Sequence, residues 1–188
     1  MEKTDFNFNG REITLRSHTF RLCALKASDI GDVLSVQNAV VERLFGNDIL
    51  QPSTEEEILD SMAQDYCFGI YDGARLVAFN VIVLGRKTDR SLCPDWEEGA
   101  NIPWEEYITF DSVQVHPDYR GYGMQKFFLE LTESVAKHKG SRYIIATVSP
   151  DNPYSLNNFK ALGYCVHPQK NPYSKYGSKR CLVRKEIK

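Results

Sequence analysis

The chain has 188 residues, of which 42% are hydrophobic and 12% aromatic, with 23 Lys+Arg set against 25 Asp+Glu for a net charge of −2. That supports one sizeable core and excludes a disordered chain, while the balanced charge argues against a nucleic-acid binder held by phosphate neutralisation. No run approaches the ~20 apolar residues that span a bilayer, and the start MEKTDFNFNG lacks a signal peptide's basic-then-apolar pattern. The expectation is a cytoplasmic protein with no membrane or nucleic-acid partner, residues 1–17 forming a polar leader and 18–188 a single domain.

In chain order, His18 to Leu25 alternates as a strand does. Ser28 or Asp29 can cap a helix whose apolar face carries Ile30, Val33, Leu34, Val41, Leu44 and Phe45. Thr54 and Glu57 have the spacing of a capping box opening a second helix with Ile58, Leu59 and Met62. Tyr66 to Tyr71 and Arg75 to Leu84 read as strands joined at Asp72-Gly73, a pair suited to the positive φ angles of a type I′ turn. Gly85 to Trp104 is then a long connection, read equally as a binding loop or as a surface excursion with Trp96 and Trp104 pinned to the core.

Tyr107 to Val115 is a further strand, stopped by His116-Pro117. Met124, Phe127, Phe128, Leu131 and Val135 line one face of a helix that ends at Gly140 after Lys137 and Lys139. Arg142 to Val148 is apolar enough for a strand covered on both faces. Asn152-Pro153 can start a last helix with Leu156, Phe159 and Leu162 that stops at Gly163. Strands near Tyr164–His167 and Lys179–Ile187 close the chain, the basic run KYGSKRCLVRK reading as a charged edge strand. The alternation gives a mixed α/β sheet. The five cysteines, at 23, 67, 93, 165 and 181, have no metal-knuckle spacing and read as reduced thiols. The four histidines are scattered, so no metal is expected.

The chemistry concentrates in VQVHPDYRGYGMQ, Val113 to Gln125. A strand runs through a proline turn and two glycines into an amphipathic helix. Such a helix start exposes backbone N–H groups that bind anions, pyrophosphate above all, and Arg120 adds a permanent cation. The stretch is not a Walker A loop, having no G-K-[ST], nor a dinucleotide fingerprint, since Lys126 stands where a third glycine belongs.

This stretch resembles the acetyl-CoA motif of the GCN5-related N-acetyltransferases (GNAT), a strand followed by [RQ]-x-x-G-x-[GA]. A second family element, an asparagine followed by a helix that ends in a Gly-aromatic pair, is similar to Asn152 through Gly163-Tyr164. The resemblance covers roughly residues 18–187 and implies a mostly antiparallel central sheet with a splayed pair of strands and about four flanking helices. It implies that the backbone of Val113, Gln114 and Val115 holds the pantetheine arm. The amides of Gly121, Tyr122, Gly123, Met124 and Gln125, with Arg120, would hold the pyrophosphate. Asn152 and Ser155 would approach the far end of the pantetheine and Phe159 the thioester, and a backbone N–H, that of Val115, would stabilise the oxyanion.

The departures from the family pattern are specific. Gln125 stands where the loop usually has Gly or Ala. Phe159 replaces the customary proton-donating tyrosine, and Thr147 the glutamate that acts as base. Asp111, two residues before Val113 and so on the same face, is the candidate for a replacement acid or base, while a carboxylate in an ordinary hydrogen bond or at the sheet rim is the reading favoured for it. Glu105 and Glu106 are weaker candidates, Tyr154 and Tyr164 are read as packing residues, and His116 as a turn residue. The expected function is direct acetyl transfer from acetyl-CoA to an amine of a small molecule or peptide. The alternative is an acyl-CoA-binding module weakened in catalysis. Acidic residues on the first two helices hint at a cationic acceptor but are explained as well by a solvated face, and the closing strands could pair two copies as a homodimer.

Overall fold

The two runs that are apolar on both faces take the middle of the sheet. In this computed structural model, which describes residues 10–44, 49–85, 102–168 and 179–187, they are β3 (Tyr66–Asp72) and β4 (Arg75–Leu84), buried almost throughout. Before them come β1 (Arg11–Leu15), β2 (His18–Ala24), α1 (Ile30–Arg43) and α2 (Glu55–Gln64). After them come β5 (Tyr107–Val115), α3 (Met124–Lys139), β6 (Tyr143–Val148), α4 (Pro153–Ala161), β7 (Cys165–Pro168) and β8 (Cys181–Glu186). The strands form one eight-stranded sheet in the order β1-β2-β3-β4-β5-β6-β8-β7. Its pairs are antiparallel apart from β5 with β6.

Each face of the sheet has its own cover. Val33, Val36, Ile58 and Met62 of α1 and α2 pack with Cys67, Phe79, Val81 and Val83. On the other face Met124, Phe128, Leu131 and Val135 of α3 and Phe159 of α4 pack with Ile82, Ile108, Phe110 and Ile144. Coverage on both sides explains why β3 and β4 read as continuous apolar runs rather than as alternating ones. The Thr54–Glu57 capping box forms as expected, Glu57 N–H donating to Thr54 Oγ1 at 3.2 Å and Thr54 N–H to Glu57 Oε2 at 2.9 Å. Among the described residues no helix is long and apolar enough to cross a membrane.

Several expectations are corrected. Arg11–Leu15, assigned to the leader, is an edge strand paired with β2 from Arg11↔Leu22 to Leu15↔His18. Its two-residue loop, Arg16-Ser17, has φ of 47° and 67°, so the type I′ geometry lies here. At Asp72-Gly73 the register pairs Asp72 with Arg75, so the central residues are Gly73 and Ala74, and of the two only Gly73 has positive φ. That is the pattern of a II′ turn. On α1 the buried face is Val33, Val36, Gln37 and Val40, while Val41 is exposed; Phe45 lies outside the described residues. The basic closing strand is interior, with β6 and β7 on its two sides. Of the long connection, 86–101 lie outside the described residues, Trp96 and Cys93 among them. Trp104 is exposed rather than pinned, and its carbonyl passes so close to Gly85 that a Cβ there would sit 1.7 Å from the oxygen.

Candidate active site

β5 leaves its parallel partner after three residues. Tyr107, Ile108 and Thr109 pair with Tyr143, Ile144 and Ile145. Beyond Thr109, β5 stays on β4 as far as Val115, and β6 stays on β8 as far as Val148. The two strands therefore part and leave a wedge between them. At the point of parting the β4–β5 register passes from Ile82↔Phe110 to Val81↔Ser112, which makes Asp111 the extra residue of a bulge. The bulge shifts the alternation by one, and Phe110, Val113 and Val115 all pack in the cluster beneath α3 and α4.

The register also decides which backbone groups face the wedge. His116 N–H donates to Val77 O at 2.8 Å, which makes 77/116 a hydrogen-bonded pair. Counting back along the antiparallel ladder, Gln114 is bonded to Phe79, whereas Val113 and Val115 turn their N–H and C=O away from β4. Two of the three strand residues expected to hold a ligand thus present free ladder positions to the wedge. Gln114 does not. Its buried amide instead donates to Gln37 Oε1 at 3.1 Å on the opposite face.

At the wide end of the wedge the chain makes the turn Gly121–Gly123 and enters α3. Gly121 and Gly123 have φ of 93° and 83°, a region costly for any residue with a Cβ, and a Cβ on either would meet no atom of the described residues within 4 Å. Among the described residues no side chain caps α3. Phe127 N–H donates to Gly123 O at 3.0 Å, and the amides before it, from Gly121 to Lys126, have no intrahelical carbonyl to meet. Arg120 is exposed beside them. The turn itself is fastened by rings: Tyr122 packs edge-on to Phe20 at 5.4 Å, and Tyr119 donates its hydroxyl to Asp72 Oδ2 at 2.9 Å. His116 lies in the same fastening as a turn residue, its Nε2 2.9 Å from Arg75 Nη2.

Gln125 answers the question posed by its size. Its Nε2 donates to Ser155 Oγ at 2.7 Å and its Oε1 accepts from Asn158 Nδ2 at 2.8 Å, so the side chain lies along α4 as a tie between the two helices. Met124 is buried in the core, leaving only its backbone to the turn. Asn152 caps α4 by accepting from Ser155 N–H at 3.1 Å.

The cleft between the strands is lined from five directions. Phe110–Val113 come from β5, Ala146–Ser149 from β6, and Asn152, Ser155 and Phe159 from α4. Ile49–Gln51 and Ser53 form a further wall, and Arg180, just before β8, closes it. The wall is clamped to α1: Gln37 Nε2 donates to Ser53 O at 2.8 Å and Ser53 N–H to Gln37 Oε1 at 3.1 Å. These opposite-polarity bonds fix the Gln37 amide, and with it the Gln114 amide that donates to the same oxygen.

Asp111, Val113, Asn152, Ser155, Phe159 and Thr147 thus meet in one cleft. Phe159 is fully buried there, edge-on to Phe110 at 5.7 Å and to Tyr164 at 5.1 Å. Tyr164 stands behind it and does not line the cleft, and burial pushes its phenol well above the usual range. Tyr154 is exposed, and Glu106 pairs with Arg142 at 3.8 Å at the far end of β5. Among the described residues no group of three or more His, Cys, Asp or Glu is gathered to hold a metal. Sequence reasoning missed Arg180, Ser149 and the Ile49–Ser53 wall. Arg180 was hidden inside a basic run, and the one signal for the wall was the apolar pair Ile49-Leu50 preceding Pro52.

The profile of the acetyltransferase (GNAT) family matches residues 38–164. Among solved structures the chain is similar to the GNAT domain of S. lividans PAT, at 18% identity and a TM-score of 0.67 over 94% of this chain and 96% of that one. It is also similar to yncA from Salmonella typhimurium, solved with its cofactor acetyl-CoA (13%, TM-score 0.66, 90% and 94% covered). A third is the ribosomal-protein-S18-alanine N-acetyltransferase from Escherichia coli (14%, TM-score 0.62, 89% and 94%). At these identities the structural likeness speaks for the fold.

Proposed function

The chain belongs to the acetyltransferase (GNAT) family, and from that membership we propose that it transfers acetyl from acetyl-CoA to an amine of a small molecule or peptide. The observation that carries this reading is the wedge between β5 and β6, with gap-facing backbone groups on Val113 and Val115 and an uncapped helix start at its wide end. The residues fit such a ligand. A pyrophosphate needs several convergent N–H donors and a cation, which the amides from Gly121 to Gln125 and Arg120 offer. A pantetheine arm carries amides that need strand-like partners, which Val113 and Val115 offer. A cytoplasmic setting is part of the same reading.

When bound, acetyl-CoA supplies a thioester whose carbonyl carbon takes the acceptor's nitrogen lone pair as the carbon–sulfur bond breaks and sulfur leaves as thiolate. The work of the chain is to orient and to move a proton. Val115 N–H, facing the wedge, is the donor assigned to the carbonyl oxygen, where negative charge builds up. Asp111, at the bulge and lining the cleft, takes the proton released by the acceptor ammonium, directly or through water, and the second proton, shed by nitrogen as the amide forms, passes to the departing thiolate or to solvent. Phe159 contributes shape and dryness rather than a proton. A thiolate with a pKa near 8.5 leaves without an acid.

A second reading, an acyl-CoA-binding module, is favoured by one fact: Phe159 and Thr147 occupy the places of the family's customary acid and base. Thiol release from acetyl-CoA in the presence of primary amines separates the two. The transferase reading predicts amine-dependent release that falls by roughly 10²–10⁴ in Asp111→Asn, the usual contribution of a general base. Release no faster with amines than without them supports the binding module.

A further inference from the structure

β4 is apolar from Leu76 to Leu84 with one exception, Asn80, which is fully buried. Its neighbours on the same face of the sheet are Ala78 and Ile82 along β4 and the cross-strand partners Phe68 and Val113, all of which belong to or pack against the core beneath α3 and α4. An amide placed there costs the fold stability unless both of its ends are met. Only one is. Nδ2 donates to Ser112 O at 3.0 Å and, at a longer 3.4 Å, to Val81 O, whereas Oδ1 finds no partner among the described residues. Stability alone does not account for such a side chain, since an apolar one of the same size would fill the place with no acceptor left unmet.

What the amide holds does account for it. Val81 and Ser112 are the register pair beside which the β4–β5 ladder shifts at Asp111, and Nδ2 bonds a carbonyl of each strand there. The peptide between Ser112 and Val113 is planar, with its C=O and N–H pointing in opposite directions. Ser112 O, held from β4 by Asn80, therefore leaves Val113 N–H turned to the wedge, the direction that the register also gives it. A carbonyl oxygen has two lone pairs, so the amide can add to a ladder bond without displacing it. A hydrogen bond accepted at the C=O also polarises the peptide and makes its N–H a better donor.

We propose that Asn80 is a positioning residue of the CoA site: from the core side of β4 its amide fixes the peptide between Ser112 and Val113, so that Val113 N–H stands ready in the wedge for a carbonyl of the pantetheine arm. This inference rests on the reading of the wedge as a CoA site and deepens it. Asn80 does not line the cleft and acts only through that peptide. Its effect is therefore confined to the part of the ligand that meets β5, while the start of α3, where the pyrophosphate is assigned, is left as it is.

The test is calorimetric titration of the full-length protein, wild type and Asn80→Leu, with acetyl-CoA and with 3′-phospho-ADP. The second ligand keeps the nucleotide and pyrophosphate of CoA and lacks the pantetheine arm. Melting temperature is read on both proteins. The expected result for Asn80→Leu is a melting temperature no lower than that of the wild type and an acetyl-CoA affinity weaker by about five- to tenfold, the effect of one well-placed hydrogen bond. Its affinity for 3′-phospho-ADP stays within about twofold. Undiminished acetyl-CoA affinity would overturn the inference. So would equal losses with the two ligands, or a lower melting temperature accompanying the loss, since either makes Asn80 a residue of the fold alone. If the Leu variant does not fold, Asn80→Val, which is β-branched and suited to a strand, carries the same comparison. Acetyl-CoA binding by the wild type alongside any adverse outcome removes the assignment of Asn80 alone, whereas no binding by the wild type removes the reading beneath it.

Discussion

Gly123 carries a conformational demand that no other residue type meets cheaply. Its φ of 83° lies in the left-handed region, and no atom of the described residues would crowd a Cβ there, so backbone shape is what calls for glycine. Gly123→Val should cost about 1–2 kcal/mol of stability, keep its far-UV spectrum, and lose at least tenfold in acetyl-CoA affinity by calorimetry. Undiminished affinity would mean that the pyrophosphate is held elsewhere. The motif around this glycine was legible because a local requirement leaves a local trace. Asp111 was legible as a carboxylate near the site, but not as the extra residue of a bulge, because a bulge is a relation to β4. Arg180 was not legible at all. Its place in the cleft comes from the pairing of β8 with β6, which sets it beside Ser149, a residue far away in sequence.

At the scale of elements, the site turn is held by parts of three others. Asp72, at the end of β3, accepts from Tyr119 Oη at 2.9 Å and lies 3.2 Å from His18 Nε2 of β2. Those two bonds, His18 first and then Tyr119, hold its carboxyl below the ordinary value of 3.8. A folded-state pKa below the unfolded one means stabilisation that is present above about pH 4 and lost as pH falls through the lower value. The melting temperature of Asp72→Asn should therefore lie below that of the wild type near neutral pH, and the two should converge as pH falls below about 4. A gap that stays constant through that range would show that the carboxylate's charge is not what fastens the turn. The helices were the most legible elements, since capping and periodicity are local. The face of α1 was displaced because Gln37, polar and buried, broke the apolar pattern on which the reading relied. The closing strand was taken for an edge because its charge is high. Part of that charge is absorbed inside the fold: Lys185 bonds both Glu133 Oε1 and Leu162 O at 2.7 Å.

For the molecule as a whole, the sheet is the device that makes the site. Helices on both faces bury β3 and β4, β4 holds β5, and β8 holds β6, so β5 and β6 can part without either losing its outer partner. The wedge was expected through the family resemblance alone. Nothing in either strand's composition marks it, because parting is a property of two segments more than thirty residues apart. The polar wall from Gln37 through Ser53 and Gln114 likewise joins residues that no local pattern connects. The central claim is that this wedge and the α3 start form a CoA site. It is tested most directly by calorimetric titration of the protein with acetyl-CoA, with desulfo-CoA and NAD as comparators. The account predicts binding of both CoA compounds and none of NAD, since the pantetheine arm has its partners in β5. Heat with NAD equal to that with acetyl-CoA, or none with either CoA compound, would contradict it.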